Sequence, residues 1–284
     1  MQNRLLNFDQ HPQRSGAPVF LLLIATLILN GCGTETYEHR LNETAKYFAY
    51  VDLRDQALAN NWSSPTVNMR VPVEFDLISA PRMAPAANPE ETEATDPEPE
   101  PTETVDPRQP DYIDLVLPGL EGAWRVEVPV DLENETVDLP AYLYVLSNHY
   151  LLKEKMMDEA LEFHNEVNNQ LAAAFDQFLN MEEFRTEKYP KGKGYSEPKS
   201  FLVGNFEPET EINGVPYQLK LYLAESKNNK VVVLLVVPKN ISRGSKLDEH
   251  MDYSLETVDI ASPRRGGSGR RGGQKNSSAG NSEF

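Results

Sequence analysis

The sequence predicts an α+β domain, a mostly antiparallel sheet with helices packed on it. Three observations carry this. Several segments alternate apolar and polar residues with a period of two, as half-buried strands do. The run Val231 to Val237 is continuously apolar, as expected of a central strand buried on both faces. A longer stretch from about Lys153 to Asn180 switches to helical spacing, with Ala172-Ala173-Ala174 favouring helix. The order is strand, strand, long helix, several strands, helix, which gives the α+β class.

The elements follow in order. Residues 34–62 read as one amphipathic helix. Tyr37, Leu41, Thr44, Phe48, Val51 and Leu58 recur at mostly three- to four-residue spacing, with Glu38, Arg40, Glu43, Lys46 and Arg54 between them. Such a helix packs on a domain or pairs in a short coiled coil. Asn60-Asn61 and Ser63-Ser64-Pro65 are its stop signals. In residues 70–78, Val71, Val73, Phe75 and Leu77 alternate with Pro72, Glu74 and Asp76, a strand whose proline suggests a sheet edge. Residues 81–110 hold eight prolines and eight acids. Few large apolar side chains offset the chain entropy, so a disordered, extended spacer is expected there.

The folded core is expected over residues 111–262. Trp124, Val126, Val128 and Val130 form one half-buried strand face. Residues 131–140 read as a polar loop, and Ala141 to Asn148 as the returning strand of a hairpin. On the long helix, Met157, Leu161, His164, Leu171, Phe175 and Phe178 share a face. Residues 188–200 are a loop with Pro190, Gly192, Gly194 and Pro198. Phe201 to Phe206 is a short strand, and Tyr217, Leu219, Leu221 and Leu223 mark another. Glu225 to Lys230 is a turn, and Leu247 to Ile260 a final helix. Residues 263–284, rich in Gly, Ser and Arg, are expected to be disordered.

Charge is unevenly spread. The net charge of the 284-residue chain is −17. Residues 82–110 carry −6, residues 264–284 carry +4, and an acidic body carries most of the rest. Phosphate would repel that body, so no nucleic-acid partner is expected. Arg264-Arg265-Gly266-Gly267 and Arg270-Arg271-Gly272-Gly273 look like RNA-binding Arg-Gly segments. A flexible tail with no dedicated partner is expected; anionic headgroups, wall polymers or the acidic segment of the same chain are more plausible contacts than RNA.

The N-terminus carries a targeting signal. Residues 1–18 are largely polar, with Arg4 and Arg14 against Asp9. Val19 to Leu29 is an apolar run of 11 residues. A helix needs about 20 to span a bilayer core, so this run reads as the core of a signal peptide. Cys32, the single cysteine of the chain, follows at once. The string Leu29-Asn30-Gly31-Cys32 resembles the lipobox of bacterial envelope lipoproteins, although Asn30 stands where that family usually has Ala, Ser or Thr. The resemblance implies that the Cys32 thiol receives a diacylglycerol, that residues 1–31 are removed, and that the new N-terminus is acylated with a chain such as palmitate. Several acyl chains on one residue make a durable anchor at roughly 0.8 kcal/mol per buried methylene. A secreted chain cut after Gly31 and an uncut apolar anchor are the alternatives. Gly33 stands where an Asp would favour inner-membrane retention, which points to the outer membrane, facing the periplasm. With Cys32 committed to lipid, thiol catalysis, disulfides and Cys-based zinc sites are excluded.

The expected layout is a signal peptide over 1–31, a membrane-proximal helix and extended segment over 32–80, the spacer over 81–110, the α+β domain over 111–262 and the tail over 263–284. The element order of 111–262 is similar to the PsbP-type sandwich, a family with accessory and assembly roles.

Catalytic motifs are not found. His39, His149, His164 and His250 have no histidine at metal-ligand spacing. There is no Gly-x-Ser-x-Gly elbow. Lys191-Gly192-Lys193-Gly194 is too short for a phosphate-binding loop. The expectation is a non-enzymatic, lipid-anchored envelope protein that binds a partner protein or assists assembly, with no cofactor and no metal. The alternatives are an envelope hydrolase built on paired carboxylates and a membrane-surface adaptor that uses the basic tail.

Overall fold

The computed structural model describes residues 34–81, 106–132, 135–177, 179–192 and 195–261. It divides into two compact units, one ending at Leu53 and one starting at Arg54. Most of helix α1 (Thr34–Ala57) belongs to the first. Its sequence lacks Gly and Pro, and Glu35 sits in the first turn, where the helix dipole favours an acid. Locally, Lys46 pairs with Glu43 at 3.0 Å, and the Thr44 hydroxyl donates to the Arg40 carbonyl at 2.8 Å.

The helix expected to reach residue 62 stops at Ala57, and Leu58–Ser63 is strand β1. Strand β2 (Val67–Pro72) pairs with it antiparallel. Arg70 of β2 explains the stop. Its guanidinium donates to the carbonyls of Leu58 and Ala59, each at 2.9 Å, and pairs with Asp55 at 2.5 Å. A helix running to 62 would need the Leu58 carbonyl for the Trp62 N–H. Arg70 takes it instead.

The expected strand over 70–78 is also broken. Val73 and Glu74 form a turn after β2, and β3 (Asp76–Leu77) joins the other sheet. Val71 and Phe75 are buried, whereas Val73 and Leu77 are more than half exposed. The period of two therefore does not describe one continuous face.

Strands β4 (Leu120–Asp131) and β5 (Thr136–Ser147) form the expected hairpin, with Trp124 opposite Leu143. It is longer than the sequence suggested. Thr136 to Pro140, expected in the loop, pair with Asp131 to Glu127 because β4 runs on to supply their partners. The expected helix over 153–180 is two helices, α2 (His149–Lys153) and α3 (Met157–Ala174). The break contains Lys155, at φ +65°. The buried face of α3 is Ala160, Phe163, Val167 and Leu171; Met157 and Leu161, expected inside, are exposed. Phe178 lies outside the described residues.

The chain continues through β6 (Arg185–Tyr189), β7 (Lys199–Phe206), β8 (Tyr217–Ser226), β9 (Asn229–Pro238), α4 (Leu247–Glu256) and β10 (Asp259–Ile260). The last strand takes the end of what read as a helix to 260.

One sheet has the order β3-β4-β5-β9-β8-β7-β6, antiparallel throughout, and a smaller one the order β1-β2-β10. Strand β9 is central and buried on both faces, as its apolar run predicts. On one face, Trp124, Val128, Leu143, Val145, Val233 and Leu235 meet Val67, Met69 and Val71 of the small sheet and Met251 and Leu255 of α4. On the other, Tyr144, Leu146, Leu219, Leu221 and Leu234 meet Leu151 of α2, Phe163, Val167 and Leu171 of α3, and the loop residues Leu115 and Leu117. The structure is thus α+β in three layers. Each fully buried Val, Leu or Phe contributes about 1.5–3 kcal/mol from area removed from water.

The acidic segment has its ends in this one unit. Residues 82–105 lie outside the described residues. Before them, β3 pairs with β4; after them, Arg108 binds Asp106 at 2.7 Å and donates to the Glu121 carbonyl at 3.2 Å. The Gln109 amide brackets the main chain of Leu117 at 2.7 and 3.1 Å. The segment therefore departs from and returns to the same core. Among the described residues no helix is long and apolar enough to cross a membrane.

Candidate functional site

The chemistry-bearing cleft of the larger unit lies where the two sheets and α2 meet. Four pieces of chain line it: Trp62 and Ser63 at the end of β1, the turn Ser64-Pro65, Gly119 to Glu121 at the start of β4, and Ser147, His149 and Tyr150 at the end of β5 and the start of α2. Its volume is about 340 Å³.

Local sequence sets this geometry. Gly119 has φ +61°, and a Cβ there would stand 2.0 Å from the Ser147 carbonyl oxygen. Only glycine fits both demands. Its carbonyl accepts from the Ser147 N–H at 2.9 Å, which locks the start of β4 to the end of β5. Three residues on, a Cβ at Gly122 would sit 2.5 Å from the Trp124 ring and 2.7 Å from the Trp62 ring. That empty space lets the two rings pack edge-to-face, with centroids 4.9 Å apart. Trp124 is buried, whereas Trp62 keeps partial exposure at the cleft.

The floor is polar. The Ser147 hydroxyl donates to Oε1 of Glu121, lies 3.3 Å from Thr66 Oγ1, and accepts from the His149 main-chain N–H at 3.2 Å. The other Glu121 oxygen, Oε2, is buried and has no hydrogen-bond partner. Burial, and then the neighbouring Glu166, raises the Tyr150 hydroxyl above its usual pKa, so the side chain is a neutral ring with a polar tip. Asn148, between the cleft residues, is fully committed: its amide donates to the carbonyls of Ala160 and Asn228 and accepts from Lys230 N–H. It fixes the β5–α2 corner.

This arrangement can bind. A nucleophilic serine needs a base within hydrogen-bond reach of its hydroxyl. Ser147 has the Glu121 carboxylate within that reach and meets His149 through the main chain, not the imidazole. Glycoside hydrolysis takes two carboxyl groups flanking the bond; among the described residues Glu121 is the one acid lining this cleft. A second groove, of about 680 Å³, runs over β6 and β7 and gathers Glu182, Glu183 and Glu187 around Arg185. There Glu187 accepts from the Tyr189 hydroxyl at 2.7 Å and faces Lys191 at 3.9 Å. Among the described residues no group of three or more His, Cys, Asp or Glu could hold a metal ion.

The sequence-predicted site residues Leu29, Asn30, Gly31 and Cys32 lie outside the described residues. His39 is on α1, His149 lines the cleft, and His250 pairs with Glu74. His164 sits at the core edge, its Nε2 3.2 Å from the Val231 carbonyl; burial drops its pKa to about 4. Sequence reasoning missed Trp62, Glu121 and Ser147. Trp62 reads as part of a helix end, and one acid in a strand gives no pattern. The available signal was Gly119 and Gly122, three residues apart around the glutamate.

No protein-family model matches this chain, and no curated protein matches it. Among solved structures it is similar to a 1.50 Å crystal structure from Bacteroides thetaiotaomicron VPI-5482, at 8% identity and a TM-score of 0.31. The match covers 72% of this chain and 49% of that one, so the chain spans about half the length of that protein.

Proposed function

We propose that the chain is a lipid-anchored protein of the bacterial envelope, facing the periplasm, whose α+β unit is a non-enzymatic binding or assembly-accessory module. The observation that carries the anchor is the single cysteine directly after an 11-residue apolar run, in Leu29-Asn30-Gly31-Cys32. Two acyl chains or more hold a protein at a membrane durably, where one holds it marginally. The observation that favours binding is the cleft at Glu121. Aromatic walls, hydroxyls on the floor and one carboxylate suit recognition of a ligand. Membrane fractionation with palmitate labelling tests the anchor. Wild type incorporates label and sediments with membranes, whereas Cys32→Ala loses the label. A Cys32→Ala chain that still incorporates palmitate contradicts the reading.

A further inference from the structure

We propose that the cleft between the β1–β2 turn, the start of β4 and α2 is a binding site for a guanidinium group, presented by an arginine side chain in an extended basic segment. The proposal deepens the binding reading of the α+β unit and rests on it, not on the anchor.

Glu121 is the first reason. Ser147 satisfies one carboxylate oxygen, and Oε2 remains buried without a partner. Leaving a buried acceptor unpaired is costly, more so for a charged group. The terminal torsion of a glutamate side chain is soft, so a modest rotation presents this oxygen to the cleft while Ser147 follows the other. A donor arriving there recovers the lost hydrogen bond. The walls are the second reason. Trp62 and Tyr150 offer aromatic surface on the same cleft. A guanidinium is planar, stacks on aromatic faces and pairs with a carboxylate through two N–H groups; an ammonium does less of each. Charge is the third. The net charge of −17 raises the local concentration of cations and repels anionic ligands.

This chemistry has two possible sources, and one is close at hand. The Ala261 N–H donates to the Thr66 carbonyl at 2.7 Å, and the Thr66 hydroxyl lies 3.3 Å from Ser147 Oγ on the cleft floor. Arg264 and Arg265 come three and four residues after Ala261. At 3.3–3.6 Å per residue, the span to Arg264 is about 10 Å, before adding the side chain. The other source is an arginine of a second protein.

The test is a titration of the full chain in detergent with the peptide Arg-Arg-Gly-Gly, read by tryptophan fluorescence and by calorimetry. Wild type binds saturably, the Lys-Lys-Gly-Gly peptide binds at least about fivefold more weakly, and Glu121→Gln loses about tenfold or more in affinity. Trp62→Leu is the second variant, should Glu121→Gln fail to fold, and it also weakens binding. Removing residues 262–284 separates the sources. A gain in peptide affinity assigns the site to the chain's own arginines; unchanged affinity assigns it to a partner. Equal affinity of wild type and a folded Glu121→Gln overturns the proposal. So does no binding by either the full or the shortened chain. Crosslinking from Ser63 to an envelope protein, with no arginine peptide bound, would retain the binding reading while ending this one.

Discussion

At the scale of single residues, a few side chains sit where burial works against their charge. Glu256 is 6% exposed, accepts from Ser196 Oγ at 3.1 Å, and has its carboxyl pushed up to about 7 by burial. The ordinary value is 4.5. Across the window from there to about 7, the unfolded chain has released this proton while the folded chain still holds it. Folding stability therefore falls as pH rises through that window. Glu256→Gln removes the effect. Its melting temperature should exceed wild type at pH 8, and the gap should close below pH 4.5. A gap that is the same at both pH values would exclude burial of this carboxyl as the cause. Such residues are hard to read from sequence. Glu256 looks like a solvated acid in Ser254-Leu255-Glu256-Thr257, because its partner Ser196 is 60 residues away. Glu121 is hidden in the same way, since its partner Ser147 is 26 residues away.

At the scale of elements, legibility depended on where each partner comes from. Strands β8 and β9 were read well. Their alternation and their apolar run record burial directly, and a two-residue turn at Lys227 and Asn228 joins them. Two of the failures involve cross-strand partners. Leu58 to Ser63 has helix-compatible spacing, yet it pairs with β2 because Arg70 claims the carbonyls that a longer helix would use. Thr136 to Pro140 has loop composition, yet β4 offers it a full ladder. Local propensity is a weak prior when a tertiary partner competes. Arg70 also binds α4 through its main chain. Its N–H donates to Thr257 Oγ1 at 2.8 Å, and its carbonyl accepts from Ser254 Oγ at 2.6 Å. Those contacts survive a side-chain change, so Arg70→Met isolates the guanidinium. The variant should lose about 2 kcal/mol in denaturant unfolding, from the two charge-assisted hydrogen bonds to the Leu58 and Ala59 carbonyls. A loss below about 0.5 kcal/mol would mean that other groups, or water, stop the helix at Ala57.

At the scale of the whole molecule, the sequence made the α+β class legible because strand and helix periods differ, but it misplaced the roles of the flanking segments. The stretch around Val67 to Phe75 read as a membrane-proximal extension. Val67, Met69, Val71 and Phe75 are core residues packed with Trp124 and Leu143. The acidic stretch read as a spacer ahead of the domain, and its two ends meet the same core. The tether is therefore expected in the chain between Cys32 and Arg54, ahead of the unit that holds the cleft. Such a tether requires Cys32 to carry lipid. Intact mass spectrometry of the protein extracted from membranes tests it most directly. The expected species is a mature chain that begins at Cys32 and carries the mass of a diacylglyceryl group and an N-linked acyl chain. A chain that begins at Cys32 or Gly33 without added lipid, or one that keeps residues 1–31, would contradict it.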